Sequence, residues 1–210
     1  MDKDYWESHW RAREHGAGRE LPAHPYLDDE TSGLAPGTAL DAGCGEGAEA
    51  IWLASRGWSV TAADISSEAL ARAASRVARA GLAERVRCVE ADLSSWEPES
   101  RFDLVTTHYA HPATSQLAFY ERLSRWVAPG GTLLVVGHLR TPDTPHGHGH
   151  GHDDGQPPEE ATVTAASVTT VLDPQLWEIV TATEQARTVA KPHGGAAELH
   201  DVVVRATRRR

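Results

Sequence analysis

Cysteine is almost missing from this chain. Cys44 and Cys88 are the two in 210 residues, and neither belongs to a C-x-x-C pair. A disulfide framework and a zinc ribbon are thereby excluded, and a reducing compartment is implied. Long apolar runs are missing as well: nothing approaches the roughly 20 residues that cross a bilayer. The opening Met1-Asp2-Lys3-Asp4-Tyr5-Trp6 has no basic patch followed by an apolar segment, so no signal peptide is read. The expectation is a cytoplasmic protein with no membrane partner. Positive charge is scarce, with 20 Lys and Arg against 30 Asp and Glu, a formal net charge of −10. Polyphosphate partners attract clustered cations, and the one cluster, Arg208-Arg209-Arg210, reads as a solvated tail. Nucleic acid is therefore not an expected partner.

What is present suits one α/β domain, for which 210 residues suffice. From about residue 38 to 137, short apolar runs alternate with helix-like stretches, the pattern of a parallel sheet with helical crossovers. Strands are expected at 39–42, 59–63, 86–90, 102–107 and 132–136. Ala48, Ile51, Trp52 and Ser55 share one helical face, stopped by Gly57. Ser66 or Ser67 caps a second helix with Leu70, Ala73, Ala74, Val77 and Ala80 inward, stopped by Gly81. A third runs from Ser115 to Val127, broken by Pro129-Gly130-Gly131. A further helix is expected from Thr164 to Leu172. Strands at 177–182 and 199–205, with Pro192-His193-Gly194-Gly195 between them, read as an antiparallel hairpin on the sheet edge.

Two segments stand apart. Residues 1–35 read as a helical cap or lid, because Tyr5, Trp6, His9, Trp10 and Arg13 recur at helical spacing. Leu21-Pro22-Ala23-His24-Pro25-Tyr26 then reads as an extended connector into the main domain, 36–210. Residues 141–160, rich in Pro, Gly, His and acids, have almost nothing to bury and are expected to be a mobile insertion.

The chemistry starts at Asp41-Ala42-Gly43-Cys44-Gly45-Glu46-Gly47. A glycine-rich turn from strand to helix lets backbone approach a ligand, and the helix start offers unpaired N–H groups. That suits a dinucleotide pyrophosphate or a methionine carboxylate alike. Dinucleotide enzymes favour G-x-G-x-x-G, whereas Gly43, Gly45 and Gly47 give G-x-G-x-G. Asp64 closes strand two, where an acid can accept from both ribose hydroxyls, and Asp92 closes strand three.

On these residues the chain resembles the class I S-adenosylmethionine-dependent methyltransferases. The matching stretches are 39–47, Val60 to Ser66, Glu90-Ala91-Asp92-Leu93, Phe102 to Val105 and Ala128 to Leu133. The resemblance implies a Rossmann-like, mostly parallel seven-stranded sheet of order 3-2-1-4-5-7-6 with helices on both faces. It implies S-adenosylmethionine as co-substrate, with no required metal. Gly43, Cys44, Gly45 and Gly47 would hold its methionine part, Asp64 the ribose, and Ile65 and Leu93 the adenine faces, with Asp92 at the adenine edge and Thr107 beside the donor. Asp41 either contacts the donor or orients the loop through backbone N–H groups. The Cys44 side chain reads as a small buried filler rather than a reactive thiol. A softer resemblance, to the tellurite-resistance and thiol or thiopurine methyltransferases, rests on the aromatic N-terminal helix, the His-Pro-Tyr connector and residues 46–54.

A sulfonium is already an activated methyl donor, so the enzyme must chiefly align a nucleophile and exclude water. The expected acceptor is a small molecule, a thiol or another soft nucleophile that needs no strong base. O- or N-methylation of a small metabolite, or a non-catalytic ligand- or metal-binding protein on the same scaffold, are the alternatives. His108, Tyr109 and His138 are the candidate catalytic groups, with His108 a base or an orienter. Trp6, Trp10 and His111 are candidate acceptor contacts. The alternating histidines from His146 to His152 have the chemistry to bind Zn²⁺, Ni²⁺ or Cu²⁺, read here as adventitious without supporting partners. A monomer or a homodimer is expected.

Overall fold

A computed structural model describes residues 1–12, 22–139, 161–190 and 196–210. The insertion at 141–160, Arg13, Leu21 and the turn residues 192–195 lie outside the described residues. In chain order the elements are α1 (Lys3–Ala12), α2 (Pro25–Thr31), β1 (Thr38–Ala42), α3 (Ala48–Ser55), β2 (Ser59–Asp64), α4 (Ser67–Arg79), β3 (Val86–Glu90) and β4 (Phe102–His108). There follow α5 (Gln116–Arg125), β5 (Val127–Leu139), β6 (Thr162–Val163), α6 (Ala165–Thr170), β7 (Trp177–Ala190) and β8 (Ala196–Arg208).

One sheet carries the order β3-β2-β1-β4-β5-β8-β7, with the two-residue β6 pairing the end of β5. The first five strands are parallel neighbours, and β8 runs antiparallel to both β5 and β7. That is the expected path, with β6 as an eighth strand beside it. The central strands are mostly apolar, Asp41, Asp103, Thr106 and Thr107 excepted, because successive side chains point to opposite faces and both are covered. Leu40, Val105, Leu133 and Val135 pack against α5 and α6 on one side. Ala39, Leu104, Leu134 and Val136 pack against α3 and α4 on the other. Side-chain caps start three of the helices: Ser66 accepts from the Ala69 N–H, Ser115 from Ala118, and Thr164 forms a reciprocal box with Ser167.

Three expectations are corrected. The connector before the main domain is not extended throughout: Pro25 opens α2, where a fixed φ and a missing N–H cost nothing. Leu27 then buries fully beside α3. Secondly, Pro129-Gly130-Gly131 does not precede strand five but lies within it. β5 pairs Val127 with Phe102 and next Thr132 with Leu104, so one β4 residue faces a four-residue bulge. A side chain at Gly131 would sit 2.9 Å from the Asp103 carbonyl oxygen. Thirdly, the hairpin strands are about twice their expected length, and Arg208 belongs to β8, its guanidinium donating to the Val127 carbonyl.

Parallel strands present their carboxyl ends along one edge, where open α/β sheets place ligands. The loops after β1, β2, β3 and β4 meet there.

Candidate active site

A cavity of about 430 Å³ opens at that edge. One wall is the glycine loop. Gly43, Gly45 and Gly47 all take positive φ (79°, 50° and 76°), and a Cβ on Gly43 would lie 2.5 Å from that of Ala110. The glycines thus bring backbone to the cavity between Cys44 and Glu46. Asp64 holds it in place: one carboxylate oxygen accepts from the Gly45 N–H and the other from the Ser66 N–H, both at 2.9 Å. Burial pushes this carboxyl above its ordinary range, against the pull of those N–H groups. Ile65, Asp92 and Leu93 line the adjoining wall, with Asp92 accepting from the Ser94 N–H. Cys44 also lines the cavity, but burial pushes its thiol well up, so it stays protonated.

Helix α1 lies over this wall. Trp6 and Trp10 line the cavity, and Trp10 packs so close to Gly45 that a Cβ there would meet its ring at 3.2 Å. The helix is pinned to α4: buried Glu7 accepts from the N–H and the hydroxyl of Ser67 at 2.8 and 3.0 Å, at the positive end of that helix. The Arg72 guanidinium adds a donor to the Trp10 carbonyl.

The opposite end of the cavity is built from side chains. His108 and Tyr109 leave β4, His111 follows, and His24 arrives from the residue before α2; all four line the cavity. Tyr109 has a φ of 52°, the one positive value on a non-glycine among the described residues. Such a backbone persists where the surroundings hold it. Its hydroxyl donates to Asp201 Oδ1 at 2.8 Å and meets Arg187 at 3.3 Å and His24 Nε2 at 3.2 Å. Asp201, on β8, has no exposed surface and also takes the Arg187 Nε and the Tyr26 hydroxyl. Burial pushes His24, His111 and His138 down to about 4 and His108 to about 3. All four imidazoles are therefore neutral at neutral pH.

Of the residues expected here, Trp6, Trp10, Gly43, Cys44, Gly45, Asp64, Ile65, Asp92, Leu93, His108, Tyr109 and His111 are brought together. Asp41, Gly47, Thr107 and His138 stand behind the wall. Asp41 is buried, and its carboxyl is pushed well above its range by that burial and by the charge of Glu49. Gly47 is the N-cap of α3. The Thr107 hydroxyl donates to the Ala42 carbonyl at 2.8 Å, tying β4 to β1. His138 stacks behind Tyr109 with ring centroids 4.6 Å apart and faces Asp201 across the β5–β8 pairing. Sequence reading missed His24, Glu49, Arg187 and Asp201. Only Asp201 carried a signal, an acid at an inward position of a valine-rich strand. Among the described residues no cluster of three or more His, Cys, Asp or Glu is placed to hold a metal ion, and no helix is long and apolar enough to cross a membrane. The tract 146–152 lies outside them.

Comparison with known proteins agrees with this geometry. Residues 39–131 match the model of a methyltransferase domain family. The chain is 29% identical over 199 residues to thiocyanate methyltransferase 1 of Brassica oleracea, covering 92% of this chain and 82% of that protein. It is 30% identical over 139 residues to a protein of Arabidopsis thaliana named "Probable thiol methyltransferase 2", covering 62% and 60%. The chain spans about half the length of most of the curated relatives it matches. TehB from Haemophilus influenzae superposes with a TM-score of 0.72 at 16% identity, over 99% of this chain and 67% of that one.

Proposed function

We propose that this chain is a class I methyltransferase that transfers the methyl group of S-adenosylmethionine to a small molecule through a thiol or similarly soft centre. The observation that carries this reading is one cavity that joins the Gly43–Glu46 loop and Asp64 to a histidine and tyrosine cluster. The residues present fit the donor. Left-handed glycines leave backbone open at the β1–α3 turn, a carboxylate stands at the end of β2, and Ile65 and Leu93 offer apolar faces to a planar base. When bound, the donor supplies a sulfonium methyl that needs no further activation. The chain's own residues then bind, orient and exclude water. Trp6 and Trp10 close the chamber from α1, and Glu7 keeps that helix seated.

Softness of the acceptor is supported from two sides. The acceptor end holds neutral imidazoles rather than a strong base, which suits nucleophiles that ionise readily or need little help. Two relatives are named for thiol and thiocyanate methylation. A volume of about 430 Å³ sits toward the lower end of the roughly 300–1,000 Å³ of ligand pockets, so an acceptor sharing it with the donor is small.

Calorimetry with S-adenosylmethionine, followed by a labelled-donor screen of thiols, selenite, tellurite and phenols, tests the reading. Donor binding with label transferred to a thiol or a chalcogen oxyanion is expected. Failure to bind the donor, or transfer to phenols alone, overturns it.

A further inference from the structure

Glu49 is an acid of this cavity whose charge the fold leaves unanswered. It stands in the first turn of α3 and lines the cavity. One carboxylate oxygen accepts from the His24 N–H at 3.0 Å. The other has neither a hydrogen bond nor an ion pair among the described residues. Unlike His24 Nδ1 and His108 Nε2, that oxygen is not sealed in the interior. The neighbouring acids are each accounted for. Asp64 gives its two oxygens to the Gly45 and Ser66 N–H groups. Asp41 lies behind the wall, where burial and the Glu49 charge favour its protonated form. Glu46, three residues before Glu49, pairs with Arg72 at 3.0 Å, and Arg76 donates to the Glu46 carbonyl. Arg187, at the acceptor end, is held by Asp201.

A carboxylate drawn into a cavity costs desolvation unless a cation or donors answer it. Resting on the methyltransferase reading above, we propose that Glu49 binds the alkylammonium group of a ligand in this cavity, through the oxygen that the fold leaves open. Two ligands of the proposed reaction can bring that group. The donor carries one on its methionine part, and an amine-bearing thiol carries one beside its soft centre. The place suits either, because Glu49 reaches His24 of the acceptor end from a helix that starts at the glycine loop. An ammonium has three N–H donors, and its bond to a carboxylate is charge-assisted. The donor's own carboxylate is repelled from the same spot, so Glu49 also sets which way round a methionine part lies.

Two pairs of ligands that differ at the ammonium carry the test. S-adenosylhomocysteine and its deaminated analogue are compared by calorimetry, cysteamine and 2-mercaptoethanol by kcat/KM, each on the wild type and on Glu49→Gln. The amide keeps an oxygen for the His24 N–H and drops the charge. The wild type is expected to favour the ammonium member of at least one pair by about 10- to 100-fold, the span of a hydrogen bond to a charged group. Glu49→Gln should lose most of that preference in the same pair. Loss in the nucleotide pair places the group on the donor, and loss in the thiol pair places it on the acceptor. A purely structural Glu49 would affect both members alike and leave each ratio where it was. Unchanged ratios overturn the assignment, and so does a wild type with no preference in either pair, whatever the variant does. A wild type that binds neither S-adenosylmethionine nor S-adenosylhomocysteine overturns the methyltransferase reading, and the assignment falls with it.

Discussion

The two ends of the cavity are made in different ways. On the proposed function, the donor end comes mainly from one stretch of about two dozen residues, Asp41 to Asp64, with Ile65, Asp92 and Leu93 beside it and α1 over it, and works mainly through backbone: three left-handed glycines and a carboxylate bonded to two N–H groups. Its acceptor end draws single side chains from five distant places, His24, His108 to His111, His138, Arg187 and Asp201, tied by hydrogen bonds and ring contacts. A backbone cradle tolerates little change at its glycines, because all three hold left-handed φ and a Cβ would press on Ala110, Trp10 or Ala73. A side-chain cluster can be altered one member at a time without disturbing the loop. The proposed function therefore makes binding the donor and choosing the acceptor separable in this fold.

The strongest way to break that separation is Arg187→Met. It leaves Asp201 buried without its cation, which costs on the order of 3–5 kcal/mol when an ion pair is fully buried, and somewhat less here because Arg187 keeps 27% of its side chain exposed. Denaturant midpoints should drop accordingly, and the double change Arg187→Met/Asp201→Leu should recover much of the loss. A midpoint that hardly moves would show that the pair does not hold the hairpin to the site. Next is Gly43→Val, which forces a φ of 79° on a branched residue at about 1–2 kcal/mol and drives its Cβ into Ala110. Donor affinity by calorimetry should weaken by tenfold or more, since about 1.4 kcal/mol is a factor of ten. Unchanged affinity would mean that the loop does not touch the donor.

Acidity sharpens the comparison, because the two ends respond with opposite sign. At the acceptor end the four imidazoles titrate near 6.5 when unfolded and at about 3 to 4 when folded. The unfolded chain then binds more protons, so stability is full above about pH 6.5 and falls as pH drops toward 4. At the donor end burial raises Asp41 and Asp64, so their contribution is largest in acid and is lost as pH rises through their folded values. Asp41→Asn should raise the melting temperature at pH 7 and leave a steeper fall below pH 6.5. His111→Gln should make that fall shallower. The smallest effect is expected from Trp10→Ala, which removes the ring over Gly45. Donor affinity should weaken a few-fold, by roughly 1 kcal/mol of lost apolar contact, with acceptor preference unchanged; a change in preference would place Trp10 at the other end.

The same division explains what could be read from the chain itself. Strands β1 to β4 and the positions of helices α3 and α4 were legible from apolar runs of strand length, the serine cap of α4 and glycine stops, but the inward face of α4 was not fully so: Leu70, Ala73 and Val77 are buried, whereas Ala74 and Ala80 are exposed. The loop, Asp64 and Asp92 follow from them, since the end of a parallel strand is a fixed place in the fold. Asp103, inside one of the matching stretches, plays a structural part, accepting from the N–H and hydroxyl of Thr38. The acceptor end was only partly legible. His108, Tyr109 and His111 follow a strand end and could be named. His24 precedes a proline and looks like connector, and Arg187 lies in a polar strand with nothing to mark it. Their roles exist only through one buried carboxylate 14 and 177 residues further along the chain. The Pro-Gly-Gly bulge shows another limit: the residues that usually end a strand here sit inside β5, because Asp103 on β4 leaves room for four residues opposite it.

The position of β8 between β5 and β7 bears on the order in which the molecule is assembled. During synthesis the five parallel strands and their helices emerge before the hairpin and can associate without it. β5 then waits with an open edge until the hairpin is complete, and closing such a distant pairing is slow relative to local structure. Asp201 and Arg187 arrive with that last pairing, so the donor cradle is formed before the acceptor end exists. A nascent chain could bind its nucleoside and gain stability from it while still unable to select what is methylated.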